Sequence, residues 1–236
     1  MKILGIDSSG LVASVAVVED DILIAEYSIQ YKITHSQTLL PMLDEVRERI
    51  GLNMEEIDAI AVASGPGSFT GLRIGSATAK GLGLALQKPI VSVPTLDALA
   101  FNLWGAAGVV CPIMDARREQ VYTGIYSFIR KEQENEMSVI MDPCAMSFDD
   151  LAGKLNAFGK DVCFLGDGVP VFYEQMEKLL TVPFSIAPAS CNRQRAASVA
   201  ALGSIMYQKG EIQTAGEHAP EYLRLSQAER EKKEKQ

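Results

Sequence analysis

The sequence has few of the side chains that usually move protons. Its 236 residues include two histidines, His35 and His218, and a single tryptophan. A histidine general base, or a serine-histidine-aspartate set, therefore has almost no source. The four cysteines, Cys111, Cys144, Cys163 and Cys191, are scattered and form no C-x-x-C pair. A zinc cluster is not expected; buried free thiols in a reducing compartment are. No apolar run approaches the roughly 20 residues that span a bilayer. The run after Lys2 stops at Asp7, too short for a signal-peptide core, so the chain reads as cytoplasmic. Basic charge is also scarce, with 22 Lys and Arg against 30 Asp and Glu and a net charge of −8. Such a field repels phosphate, so nucleic acid would need a local basic patch or a partner that supplies the charge.

What remains is ordinary globular material. The hydrophobic class is 47% and charged residues 22%, enough to build a core in one large domain or two small lobes. Lys2–Ile6, Val12–Val18 and Ile22–Ile29 read as three strands joined by tight turns. A helix follows, with Thr34 and Gln37 spaced as a capping box and an apolar stripe of Leu39, Met42, Leu43, Val46 and Ile50. Leu40 lies off that stripe and widens it, and Gly51 stops the helix. Ile57–Ser64 is continuously apolar, like a strand buried on both faces. A glycine-rich turn, a helix over Leu72–Leu86 and a strand over Pro89–Val93 complete an α/β plan with parallel pairing.

The plan then starts again. Val109–Met114 and Gln120–Phe128 read as a hairpin, Lys131–Glu136 as a charged loop, Ser147 as the cap of a short helix, Val162–Leu165 as a strand and Ser198–Tyr207 as a helix. The expected division is 1–104, 105–224 and a charged tail over 225–236 that should fray.

Several motifs invite chemistry. Asp7-Ser8-Ser9-Gly10 closes a strand in a way that suits a phosphate or magnesium, and equally suits an aspartate bonding its own turn. Gly65–Gly71 resembles a phosphate loop only superficially. Five residues separate the two glycines, and Leu72 stands where the lysine should be. In the helix that follows, interior glycines at 75, 81 and 83 cost roughly 1 kcal/mol each relative to alanine. Gly75, Ala79 and Gly83, spaced i, i+4, i+8, form a smooth face, fit for the protein's own sheet or for a second chain. Asp115 is followed by Ala116-Arg117-Arg118, bulky where phosphate would approach, and reads as a hairpin corner bridged to Glu119. His35, in the first turn of its helix, reads as a polar cap residue.

Taken in order, ILGIDSS, HSQTLLPMLDEV, SGPGSFTGLRIG, MDARREQVY and EYLR resemble the TsaB (YeaZ) family over roughly Met1–Arg224. The resemblance implies an α/β fold of the ASKHA (actin-like ATPase/RNase H-like) class with two lobes. It implies a non-catalytic dimerization subunit that works with a TsaD-type catalytic paralogue and a TsaE-type ATPase. That complex transfers threonylcarbamoyl to the adenosine beside the anticodon of tRNAs reading codons that begin with A, and tRNA is met only through the complex. The helices that would meet the paralogue correspond to Thr34–Ile50 and Gly71–Leu86, with His35, Leu39, Leu43, Val46, Gly71, Gly75, Ala79 and Gly83 as interface residues. Asp7, Ser8, Gly65 and Gly67 would mark a vestigial phosphate or nucleotide site. The paralogue's two metal-holding histidines fall on Thr95 and Leu99, and its Gly-Gly turn falls on Ala116-Arg117. No catalytic residue, metal or cofactor is implied; a nucleotide at the inter-subunit seam, and a homodimer of the isolated chain, stay open. The competing reading is a small ASKHA kinase or ATPase using Asp7 and Asp115. A peptidase lacks both a metal pair and a nucleophile–base set.

Overall fold

The computed structural model describes residues 1–31, 34–131 and 134–223. The proposed tail over 225–236, and Arg224 of the EYLR motif, lie outside the described residues.

The first sheet is built as the alternation requires. Strands β1 (Lys2–Asp7), β2 (Ala13–Glu19) and β3 (Ile22–Ile29) form an antiparallel meander, and β4 (Ala59–Gly65) and β5 (Ile90–Pro94) add in parallel beside β1, giving the order β3-β2-β1-β4-β5. Leu4, Ile6, Val15, Val17, Ile60 and Val62 face one layer, which holds Leu39, Met42, Leu43 and Val46 of helix α1 (His35–Ile50) and Ala79 of helix α2 (Phe69–Leu86). Ile3, Val18, Ala59, Ala61, Val91 and Val93 face the other. Both faces are dry, which is why β4 reads as unbroken apolar sequence.

The second sheet repeats the plan. Strands β6 (Val109–Asp115), β7 (Gln120–Lys131) and β8 (Glu134–Ser147) are antiparallel, and β9 (Val162–Leu165) and β10 (Phe184–Ile186) extend β6 in parallel, in the order β10-β9-β6-β7-β8. Helices α4 (Phe148–Phe158) and α5 (Val169–Leu179) cover one face through Phe148, Leu151, Leu155, Phe172 and Met176. Helix α3 (Thr95–Phe101) places Leu96 and Leu99 on the opposite face, beside Val110, Met114 and Tyr126.

The structure corrects several expectations. Of the stretch read as a charged loop, Lys131–Glu136, the first residue ends β7 and Glu134–Glu136 open β8, which runs to Ser147; residues 132 and 133 lie outside the described residues. Pro143 of β8 breaks the strand pattern in sequence. In space β8 is the sheet edge, and its pairing with β7 shifts register between Thr123 and Ile125, where Pro143 is tolerated. The capping box at Thr34 does not form: Thr34 makes no side-chain cap bond, and Gln37 N–H donates to its carbonyl at 2.9 Å. Ser147 does cap, its Oγ accepting from Asp150 N–H at 3.1 Å. Helix α6 (Ala196–Gln208), assigned by chain order to the second lobe, instead seats Val199, Ala200 and Leu202 on the first sheet. The segment after it stays there, pairing Gln213 with Ile90 and donating Glu221 N–H to Ser64 O at 2.8 Å. Of the thiols, only Cys111 is fully buried; the other three are half-buried, and all are free. Among the described residues no helix is long and apolar enough to cross a membrane.

Candidate functional site

The C-terminal end of β1 and the turn after β4 meet at one spot. Asp7 is buried, and its Oδ1 accepts from Ser9 N–H at 2.9 Å and Ser9 Oγ at 2.6 Å. This is the self-bonded turn that the sequence allowed. Burial pushes the Asp7 carboxyl up to about 6, against the pull of the Ser9 hydrogen bonds and of His35. Ser8 Oγ donates to Gly71 O at 2.9 Å, and Ser68 N–H donates to Ser9 O at 2.7 Å. The glycines serve this embrace. A Cβ at Gly67 would lie 2.3 Å from Ser9 O, and one at Gly71 2.0 Å from Ser8 O. At Gly65, with φ of 133°, it would strike Glu221 O at 2.1 Å. Asp7, Ser8, Gly65 and Gly67 lie at the ends of the paired strands β1 and β4, where Ser8, Ser9, Gly67 and Gly71 close on one another. The backbone donor Ser68 N–H, well placed for an anion, is spent on Ser9.

His35 opens α1 without capping it: the N-cap position is Thr34, and no side-chain cap bond forms there. The His35 Nε2–H donates to Gly10 O at 2.8 Å and ties the first turn of α1 to the β1–β2 turn. The rest of the expected interface is turned inward. Leu39, Leu43 and Val46 are at most 5% exposed and belong to the first core. Gly71, Gly75, Ala79 and Gly83 are all buried. A Cβ at Gly75 would sit 2.5 Å from Ser8 Oγ, and one at Gly83 3.2 Å from Lys88 O. The smooth stripe therefore lets α2 approach the protein's own sheet, and it is not available to a second chain. The two uses demand the same small residues at the same spacing, which is why the sequence left them undivided.

The opposite sides of the same two neighbouring helices are the free ones. On α1, Leu40 is 54% exposed, so the residue taken to widen the buried stripe points outward. On α2, Leu84 is 69% exposed, Ala77 and Ala85 are exposed, and a Cβ at Gly81 would meet nothing within 4 Å. Beside the start of α2, Tyr222 stacks on Phe69 with ring centroids 4.6 Å apart, and Arg73 Nε donates to its hydroxyl at 3.3 Å.

The second lobe offers a different turn from the one expected. Arg117 pairs with Asp115 rather than bridging to Glu119. Its N–H donates to Asp115 Oδ1 at 2.8 Å and its guanidinium to Oδ2 at 3.0 Å. Arg117, Arg118 and Glu119 are three successive non-glycine residues in the left-handed region, with φ of 64°, 56° and 59°. Each costs about 1–2 kcal/mol relative to the right-handed conformation. Nothing in the composition of this stretch signals it, since such turns usually carry glycine or asparagine.

Thr95 and Leu99 are both buried. Thr95 Oγ1 accepts from Gly65 N–H at 3.1 Å, and Leu99 packs in the core of α3 against the second sheet. Neither side chain is an imidazole, and an aliphatic one cannot ligate a metal. Among the described residues no group of three or more His, Cys, Asp and Glu is placed to hold a metal ion. Nearby, Tyr126 hydroxyl donates to Asp97 Oδ1 at 2.7 Å, and burial raises both groups. His218 is buried against Ser92 Oγ at 3.3 Å, and burial, with Lys80, lowers its pKa.

The comparisons with known proteins fit this architecture. Residues 24–232 match the model of the family described as "TsaD: tRNA N6-adenosine threonylcarbamoyltransferase". The tRNA threonylcarbamoyladenosine biosynthesis protein TsaB of Bacillus subtilis is 35% identical over 231 residues, 97% of this chain and 96% of that protein. The solved structure of YeaZ from Pseudomonas aeruginosa superposes with a TM-score of 0.78 at 28% identity, covering 94% of this chain and 99% of that one. An inorganic polyphosphate/ATP-glucomannokinase from Arthrobacter shares the fold alone, at a TM-score of 0.51 and 12% identity over 88% of this chain and 99% of the kinase. With its two repeated sheets of the ASKHA class and a full-length likeness to these relatives, the chain belongs to the TsaB (YeaZ) family.

Proposed function

We propose that this chain acts in tRNA threonylcarbamoyladenosine biosynthesis as a non-catalytic subunit. It docks a TsaD-type paralogue on the outward faces of α1 and α2, with a TsaE-type ATPase and tRNA joining the assembly. The Bacillus subtilis relative is named for that pathway, and its likeness covers nearly the whole chain. The observations that carry the docking face are the exposed leucines, Leu40 on α1 and Leu84 on α2, together with Gly81 one turn before Leu84, whose missing side chain nothing in this chain requires. A glycine inside an exposed helix costs stability for no internal gain, whereas close approach of another helix would use it. Support for a non-catalytic role comes from Thr95 and Leu99 at the ligand positions, and from the closed embrace of the Ser8–Ser9 and Gly67–Gly71 segments.

Burying a leucine contributes roughly 1.5–3 kcal/mol. Leu40→Arg with Leu84→Arg should therefore weaken the heterodimer at least about 100-fold while the chain stays folded, because neither residue touches the core. Light scattering after gel filtration with the paralogue from the same organism reads the result. Normal co-elution of the double variant would refute this face. The kinase reading needs Asp7 and Asp115 free to work. Both carboxylates are engaged, by Ser9 and by Arg117, and ATP turnover by the isolated chain that disappeared in Asp7→Ala would restore it.

A further inference from the structure

The turn after β6 has features that neither the docking face nor the fold explains. Arg117, Arg118 and Glu119 hold the left-handed conformation in succession, and all three are exposed. Ala116 N–H and Gln120 O close the turn at 2.9 Å, and Gln120 N–H reaches Arg117 O at 3.3 Å. The peptide N–H groups of Arg118 and Glu119 have no acceptor among the described residues. Successive N–H groups in such a turn form a concavity suited to an anion. The side chains of the same residues add charge. Asp115 is neutralised by Arg117 through both of its oxygens, while the Arg118 guanidinium has no ion pair among the described residues. A guanidinium carried on the same turn as free peptide donors can recognise phosphate. Asp115 and Glu119 are the opposing charges in the turn, and the first of them is paired with Arg117.

From this we infer that the Asp115–Gln120 turn is a phosphate contact, and that its ligand in the assembled complex is the phosphodiester backbone of RNA. The assignment rests on the pairing proposed above. Exposure favours RNA over a free nucleotide. Arg117 is 84% exposed in its side chain, and an open turn suits one point on an extended backbone, whereas nucleotides are taken into enclosed clefts. The net charge of −8 does not oppose a single fixed contact when a partner supplies the rest of the field.

The test uses the heterodimer and a transcript of tRNA at several salt concentrations, with ADP binding measured in parallel. Arg118→Glu should weaken tRNA binding about tenfold at low salt and reduce the slope of log affinity against log salt by about one. ADP affinity should not move, and Glu119→Gln should tighten tRNA binding. Unchanged tRNA affinity in Arg118→Glu, with the heterodimer intact, overturns the inference. So does a loss confined to ADP, which would assign the turn to a nucleotide. Co-elution of wild-type chain and paralogue checks the underlying pairing on its own. If the wild-type chain neither pairs nor retards tRNA, both readings fall. Arg117→Gln/Arg118→Gln, which removes charge without reversing it, separates a lost contact from new repulsion and should keep at least half of the slope change.

Discussion

At the scale of single residues, Asp7 shows how burial sets a charge. Its pKa stands near 6, above the value of about 4 for an aspartate in an unfolded chain. The native state therefore holds a proton that the unfolded state gives up. Below about pH 4 both forms are protonated and the group is neutral to stability. As pH rises from about 4 to about 6 the unfolded chain ionises first, and stability falls by up to about 3 kcal/mol before levelling off. Asp7→Asn keeps an acceptor for Ser9 N–H and cannot ionise. Urea unfolding of the two proteins across this range should show the variant gaining on the wild type as pH rises. A constant difference would mean that Asp7 is not desolvated as described. Cys111 makes the same point in an inert setting: burial lifts its thiol to about 12, which leaves almost no thiolate to react.

At the scale of elements, α2 divides its glycines by what lies opposite each. Gly71 faces the backbone of Ser8, and Gly81 faces nothing. Gly71→Ala should cost at least about 3 kcal/mol, because a carbonyl cannot move away as a flexible side chain can. Gly81→Ala should stabilise the isolated chain by about 1 kcal/mol through helix propensity alone. Thermal melting of both variants reads the two signs, and equal effects would contradict the orientation of the helix. For the same reason a large residue at Gly75 or Gly83 tests the core rather than a partner surface, since Gly75 already abuts Ser8.

At the scale of the whole molecule, the two halves are interlocked rather than strung in series. Chain from the second half returns to cover the first sheet. Arg195 clasps Glu26 of β3 with two nitrogens, one of them Nε at 3.1 Å, and Glu26 also accepts from Ala197 N–H at 3.1 Å, at the start of α6. Glu26 is only 12% exposed, so Arg195→Ala would strand a largely buried carboxylate and should cost about 3 kcal/mol. Removal of the chain from Arg195 onward would bare Ile3, Ala61, Val91 and Val93. The first lobe, and not merely the second, should then fail to fold, as circular dichroism would show. A truncated chain that retained native helix and strand content would mean that α6 is dispensable.

Much of this was written locally. The three-strand meander, the capped α4, the buried strand β4 and the second start at Val109 follow from alternation, turn residues and apolar runs, because those signals are set by neighbours in the chain. Helix α5 carries a proline near its start and Val169, Phe172 and Met176 at helical spacing, so it too was legible. Other features were not in the sequence to be read. Pro143 disguised β8 because only the finished sheet makes that strand an edge. Leu40 and Leu39 are neighbours of equal hydrophobicity, and their opposite fates depend on which way α1 rolls against the sheet. The stripe of Gly75, Ala79 and Gly83 would have suited either neighbour. Composition and periodicity state that a face must approach something closely; only the tertiary packing decides what, because the choice is made by residues far along the chain that no local pattern encodes.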